Sequence, residues 1–325
     1  MHTMKNLLPV GAAVVLAALA LSAPPSPAQT WPQRTVKFIL PLGPGSGADI
    51  NARLLADRLT KRWGQPVVVE NRPGADGIVA ITAFIAAGDD HTLLFGPSSS
   101  FVAHPYLHDK LPYDQRDLAP IAKVSNTLVS VAVPASMNVG SLADLMARAR
   151  AEPGKLNWAT ITGVTDLIVA GFLKSAGLDM AKVPYRDTVQ ALTDLGEGRI
   201  HMYVAALAIV RPQVQAGRIK LLAITNRERA PDAPELPTVS EAGYPALDFD
   251  GLVGLYGPRD MADELRNRIA ADIRAVASDP EIVARLTATG QLVRPGTPDE
   301  FRAAIDDQAA KVAAFAKSLD IKPAR

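Results

Sequence analysis

The stretch Pro41-Leu42-Gly43-Pro44-Gly45-Ser46-Gly47-Ala48-Asp49 is the part of this chain best equipped to hold a ligand. It follows a short apolar run and leads straight into a segment of helical period. Glycines let a backbone approach a ligand closely, and the first-turn amides of a helix lack intrahelical acceptors, so the loop forms a cradle for an anion. A tight turn with Asp49 capping the helix uses the same residues. Gly43-x-Gly45-x-x-Ala48 also fits the dinucleotide fingerprint, with Glu70 where a ribose-binding acid belongs. Against that, Pro44 interrupts the pattern, and Asp49 brings negative charge to the place a pyrophosphate would take.

Further loops repeat the design. Gly96-Pro97-Ser98-Ser99-Ser100, Thr160-Ile161-Thr162-Gly163-Val164-Thr165 and Tyr185-Arg186-Asp187-Thr188 each lead into a helix. Singly their hydroxyls are N-caps; converging where two lobes meet, they make a polar pocket suited to carboxylate. Arg186 either adds a bidentate contact or lies on the surface. No Gly-x-Ser-x-Gly elbow occurs, and the carboxylates, such as Asp263, Glu264 and Asp272, belong to helix surfaces, so no acid/base pair stands out. His104 and His108 have the spacing of a metal pair, but Pro105, Pro112 and the lack of an adjoining Glu indicate a solvated loop.

The elements that must position these loops are legible as alternation. Residues 36–41, 66–70, 91–96, 128–134, 200–205, 219–225 and 249–256 are apolar runs of strand length. Between them, Ala52, Leu55, Ala56, Leu59 and Trp63 form one helical face that stops at Gly64, and Ser141 with Asp144 has capping-box spacing ahead of Leu142, Leu145 and Met146. Such alternation implies mostly parallel sheets wound on both faces. The mature chain is near the size at which cores divide, so two α/β lobes are expected, crossed near 127–133 and 250–256. The last helices should return to the first lobe.

Composition narrows the function. With 34 Lys+Arg against 33 Asp+Glu and no basic run, there is no electrostatic footprint for nucleic acid. Zero cysteines exclude disulfides, thiolate catalysis and Cys-ligated metal. Lys5, the apolar stretch 7–21 and Ser26-Pro27-Ala28 before Gln29 read as a secretory signal peptide cleaved after residue 28. About fifteen apolar residues fall short of the ~20 a membrane span requires.

Order and spacing along nearly the whole mature chain resemble the Bug family of extracytoplasmic solute-binding proteins, the receptors of tripartite tricarboxylate transporters. The matching features are Trp31-Pro32-x-Arg34, Pro41-x-x-Pro44-Gly45-x-x-x-Asp49, the run from Gly64 to Ala75, Val183-Pro184-Tyr185-Arg186, Ala216-Gly217-x-Ile219, and Leu236-Pro237-Thr238-Val239-x-Glu241. The resemblance implies a type II periplasmic-binding-protein fold of two doubly wound α/β lobes joined by two crossing strands. It assigns 29–129 with 252–325 to lobe 1 and 130–251 to lobe 2. By position it places a small carboxylate (dicarboxylate, aromatic acid or amino acid) on Leu42, Gly43, Gly45, Ser46 and Asp49, on Ser98 and Ser99, and on Thr160, Thr162, Thr165, Arg186 and Asp187. The expected product is a periplasmic monomer without enzymatic activity, cofactor or metal, serving a membrane permease. An exported enzyme binding a nucleotide at 43–48, and a sensor module for a membrane kinase, are the alternatives. Relatives often carry an aromatic where Leu42 stands, and Asp166 is placed to disfavour a second carboxylate or welcome an ammonium.

Overall fold

The computed structural model describes residues 31–160, 163–185 and 188–323. The expected signal segment 1–28, and Thr162, Arg186 and Asp187, lie outside the described residues.

Two sheets organise the chain. The first holds β1 (Val36–Leu40), β2 (Val67–Asn71), β3 (Thr92–Pro97), β4 (Leu118–Thr127), β10 (Gly251–Pro258) and β11 (Gln291–Gly296), in the order β11-β4-β10-β3-β1-β2. The second holds β5 (Val129–Pro134), β6 (Asn157–Thr160), β7 (Ala181–Lys182), β8 (Met202–Ala206) and β9 (Ile219–Ile224), in the order β7-β6-β8-β5-β9. The sheets are mixed rather than mostly parallel. β1 pairs parallel with β2 and β3, and β6 with β7 and β8, as helical crossovers require. Every antiparallel pair involves β4, β5, β10 or β11. Those are the strands that carry the chain between sheets or close the first one after its return, and they enter against the direction of the crossover strands.

The helices are α1 (Gly47–Trp63), α2 (Ile78–Ala87), α3 (Ser99–Val102), α4 (His104–Leu107), α5 (Leu142–Ala151), α6 (Val164–Ser175), α7 (Thr188–Gly196), α8 (Leu207–Gln215), α9 (Asp263–Ala277), α10 (Pro280–Ala288) and α11 (Pro298–Ser318). In α1 the expected apolar face is the buried one: Ala52, Leu55 and Leu59 are fully enclosed. Each buried leucine contributes about 1.5–3 kcal/mol over an exposed one. The helix ends at Gly64 in the left-handed conformation, φ 67°. At its start the cap is Ser46, not Asp49: the Ser46 hydroxyl accepts from the Asp49 amide at 3.2 Å. The expected cap of α5 is present, with Ser141 accepting from the Asp144 amide at 3.1 Å.

β4 runs into β5 with only the buried Leu128 between them, so one extended segment serves both sheets. The Leu128 amide donates to the Gly290 carbonyl at 2.9 Å, and its own carbonyl accepts from the Leu207 amide at 2.8 Å. The return crossing, from β9 to β10, is tied to the first through Asn226, which is fully buried. Its carboxamide oxygen accepts from the Val129 amide at 2.9 Å, and its nitrogen donates to the Thr127 carbonyl at 3.0 Å and to Asp250 at 3.2 Å.

The C-terminal helices do more than return to the first sheet. α9 and α10 pack there against α1. α11, opened by a Thr297–Glu300 capping box, lies on β4 at its start but reaches α6 beside the second sheet at its end. A single apolar cluster thereby joins Leu94 of the first sheet, Val204 of the second, and Phe301 and Val312 of α11.

Candidate binding site between the two sheets

A cavity of about 790 Å³ lies between the sheets. Its first wall is the loop after β1. Gly45 takes φ +82°, a conformation that suits glycine, and its amide donates to the Asp49 carboxylate at 2.9 Å. Asp49 is 3% exposed and accepts from Arg53 Nε at 3.1 Å and from Asn71 Nδ2 at 2.9 Å. Asn71 also donates to the Leu42 carbonyl at 2.9 Å. Burial raises the Asp49 pKa, but the hydrogen bonds from Arg53, Gly45 and Asn71 outweigh it and hold the carboxyl below the ordinary range. Asp49 is thus an internal brace of the loop.

The residues expected at the site fall into three groups. Leu42, Gly45, Ser46, Ser99 and Thr165 line the cavity. Gly43, Asp49, Ser98 and Thr160 do not. Gly43 uses its carbonyl to accept from the Ser46 amide at 3.4 Å. Ser98 is fully buried, its hydroxyl donating to Gln308 Oε1 on α11 at 2.5 Å. The Thr160 hydroxyl is bonded to Asp166. Thr162, Arg186 and Asp187 are the members of the set that lie outside the described residues.

Asp166 is already engaged. Besides Thr160, it accepts from Lys182 Nζ at 2.5 Å, and it is absent from the cavity wall. His104 is not in a solvated loop: it opens α4 and is 1% exposed on the cavity side. Its Nδ1 pairs with the Tyr113 hydroxyl at 2.6 Å and its Nε2 with the Asp76 carbonyl at 3.1 Å, which occupies both nitrogens. Burial lowers its pKa, favouring neutral imidazole. Glu70, the acid a ribose would need, bonds Arg72 at 2.6 Å and lies off the cavity wall.

Sequence reasoning missed several walls. The turn through Gly74, Asp76 and Gly77 lines the cavity, with Asp76 at φ 55°. So do Ala206, Ala208 and Ile209 at the β8–α8 junction, whose apolar sequence carries no capping residue to flag a helix start. Phe249, Thr127 and Gln291 line it where the crossing strands meet. Among the described residues the wall contains no Lys or Arg. What it offers an anion is neutral: serine and threonine hydroxyls, the Gln291 amide, and the first-turn amides of α1.

The comparisons agree with this geometry. A family model described as tripartite tricarboxylate transporter family receptor matches residues 51–321. A UPF0065 protein of Bordetella bronchiseptica is 30% identical over 307 residues, covering 94% of this chain and 91% of that protein. Rpa4515 of R. palustris, solved with adipate, has a TM-score of 0.77 at 27% identity, covering 90% of this chain and 99% of the other. MatC from Rhodopseudomonas palustris with bound malate has a TM-score of 0.70 at 26% identity, covering 89% and 99%. Two mixed α/β sheets enclosing a cavity, and a sequence matched across most of its length, place the chain in the tripartite tricarboxylate transporter receptor family, with the fold of periplasmic binding proteins.

Proposed function

We propose that this protein is a periplasmic receptor that captures a small organic carboxylate between two lobes and presents it to a membrane permease. The observation that carries the reading is the cavity itself: its donors come from both sheets, Ser46 and Ser99 from one side and Thr165 from the other. Adipate and malate in the two related structures support a carboxylate as the ligand class. In this reading lobe 1 is 29–129 with 252–325, lobe 2 is 130–251, and residues 1–28 are removed on export. The protein acts as a monomer without cofactor, and no covalent step is involved.

Closure follows from linkage. Contacts from both lobes exist together only in the closed state, so a bound carboxylate shifts the population toward it by its differential affinity. Recognition by the permease then reads closure rather than the carboxylate alone.

Calorimetric titration of residues 29–325 with adipate, malate, benzoate, amino acids and NAD tests the proposal. Saturable heat with at least one organic acid, without product formation, supports it. A one-site acid at about 100 times its Kd should also stabilise the fold by about 2.7 kcal/mol. Binding of NAD alone would overturn the reading in favour of a nucleotide-dependent enzyme.

A further inference from the structure

Gln291 opens β11, 1% exposed, and lines the cavity from a part of the chain far in sequence from the glycine loop. Its orientation is set by a buried relay. Asn51 Nδ2 on α1 donates to the Ser125 hydroxyl at 2.9 Å, and that hydroxyl donates to Gln291 Oε1 at 2.9 Å. Thr127 Oγ1 lies beside both ends of the carboxamide, 3.4 Å from Oε1 and 3.2 Å from Nε2; with Oε1 accepting from Ser125, one Nε2 hydrogen reaches it. The second hydrogen remains.

The direction of Nε2 is toward the first residue of α1. A Cβ on Gly47 would stand 3.0 Å from it, so the absence of a side chain at 47 is what lets the carboxamide approach the helix start. In that first turn the Ser46 hydroxyl accepts from the Asp49 amide and the Ser46 carbonyl from the Ile50 amide. The amides of Gly47 and Ala48, both cavity-lining residues, have no such partner among the described residues.

Resting on the carboxylate-receptor reading, we infer that Gln291 completes the anion cradle: its Nε2 donates to the same carboxylate head that the Gly47 and Ala48 amides hold. Three neutral donors, two from the backbone and one from a side chain braced by Ser125, then bind the head; among the described residues the cavity wall adds no Lys or Arg. This explains the third glycine of the loop, which a turn alone does not require. It also makes the β11 start, next to the crossing strands, part of carboxylate recognition.

The test uses the full mature chain and whichever of adipate, malate, benzoate and glutamate the wild type binds most tightly. Gln291→Met keeps the volume and removes both polar groups; affinity should fall by about tenfold or more. Gln291→Glu can keep the Ser125 bond while replacing the donor with a titratable acceptor. Its affinity should fall as pH rises from about 5 to about 8.5 and recover on acidification, with wild type nearly flat. Gly47→Ala, which pushes the carboxamide aside, should weaken binding in the same direction. Folded variants that bind within about twofold of wild type at every pH overturn the inference, as does a loss of melting temperature with unchanged affinity. A wild type that binds none of these acids overturns the carboxylate reading and this inference together.

Discussion

Phe315 on α11 packs against the bare Cα of Gly171 on α6, its ring and Cβ filling the space a side chain at 171 would need. The contact fastens the end of the last helix to the second sheet's helical layer, while Phe301 near its start is buried in the same apolar cluster as Tyr256 of the first sheet. Gly171→Ala is therefore expected to destabilise the fold by about 1–3 kcal/mol through overpacking. Urea unfolding of Gly171→Ala, Phe315→Ala and the double variant checks it. The double should lose less than the sum of the singles, because the smaller side chain makes room for the added methyl. Strict additivity would show that the two residues do not share the space.

Asn226 should be costly to replace. It bonds the Val129 amide and the Thr127 carbonyl of one crossing and Asp250 of the other, and the bond to Val129 is fully buried. Asn226→Ala leaves a buried amide unpaired, and the expected loss of unfolding free energy is about 2–4 kcal/mol, read as a lower denaturant midpoint at constant m-value. A change within about 0.5 kcal/mol would mean that solvent reaches the crossing and replaces the side chain.

The Asp49 brace carries a pH dependence of definite sign. A carboxyl held below its ordinary pKa of 3.8 adds stability above that value and loses it as pH falls through the native pKa. Asp49→Asn is expected to cost about 1–3 kcal/mol at neutral pH, with the gap to wild type closing below about pH 4. Melting curves from about pH 3 to pH 7 read it directly. A gap that widened on acidification would reverse the assigned direction.

Selection of amino acids over simple acids should not depend on Asp166. Its carboxylate is bonded by the Thr160 hydroxyl and by Lys182, so it has no place in the cavity wall. Asp166→Asn should change affinities for malate and for glutamate by the same factor. A selective loss for glutamate would restore Asp166 as an ammonium partner.

The pieces legible from sequence share a physical cause. Ala52, Leu55, Ala56 and Leu59 repeat with the helix because one face of α1 is buried and the other wet. β4 is hidden in the sequence because Pro120, Lys123, Ser125 and Asn126 interrupt its apolar pattern. Pro120 is accommodated where the register against β10 shifts by a residue. Ser125 is satisfied by Gln291, a partner 166 residues away that only the assembled sheet supplies. Ser98 misleads for the same reason: at the end of β3 a hydroxyl looks like cleft or cap, and α11 brings Gln308 to it from the far end of the chain. Local pattern reports local partners, while the site is built largely from distant ones.

The seating of β10 between β3 and β4 has a consequence for biogenesis. All strands of the second sheet lie between residues 129 and 224, so a growing chain holds that sheet's complete strand set first. The first sheet cannot close until Gly251–Pro258 arrives, which until then leaves β3 with one open edge and β4 with two. The amino-terminal strands are thus the first made and the last completed, an order that delays compaction at the leading end of the polypeptide.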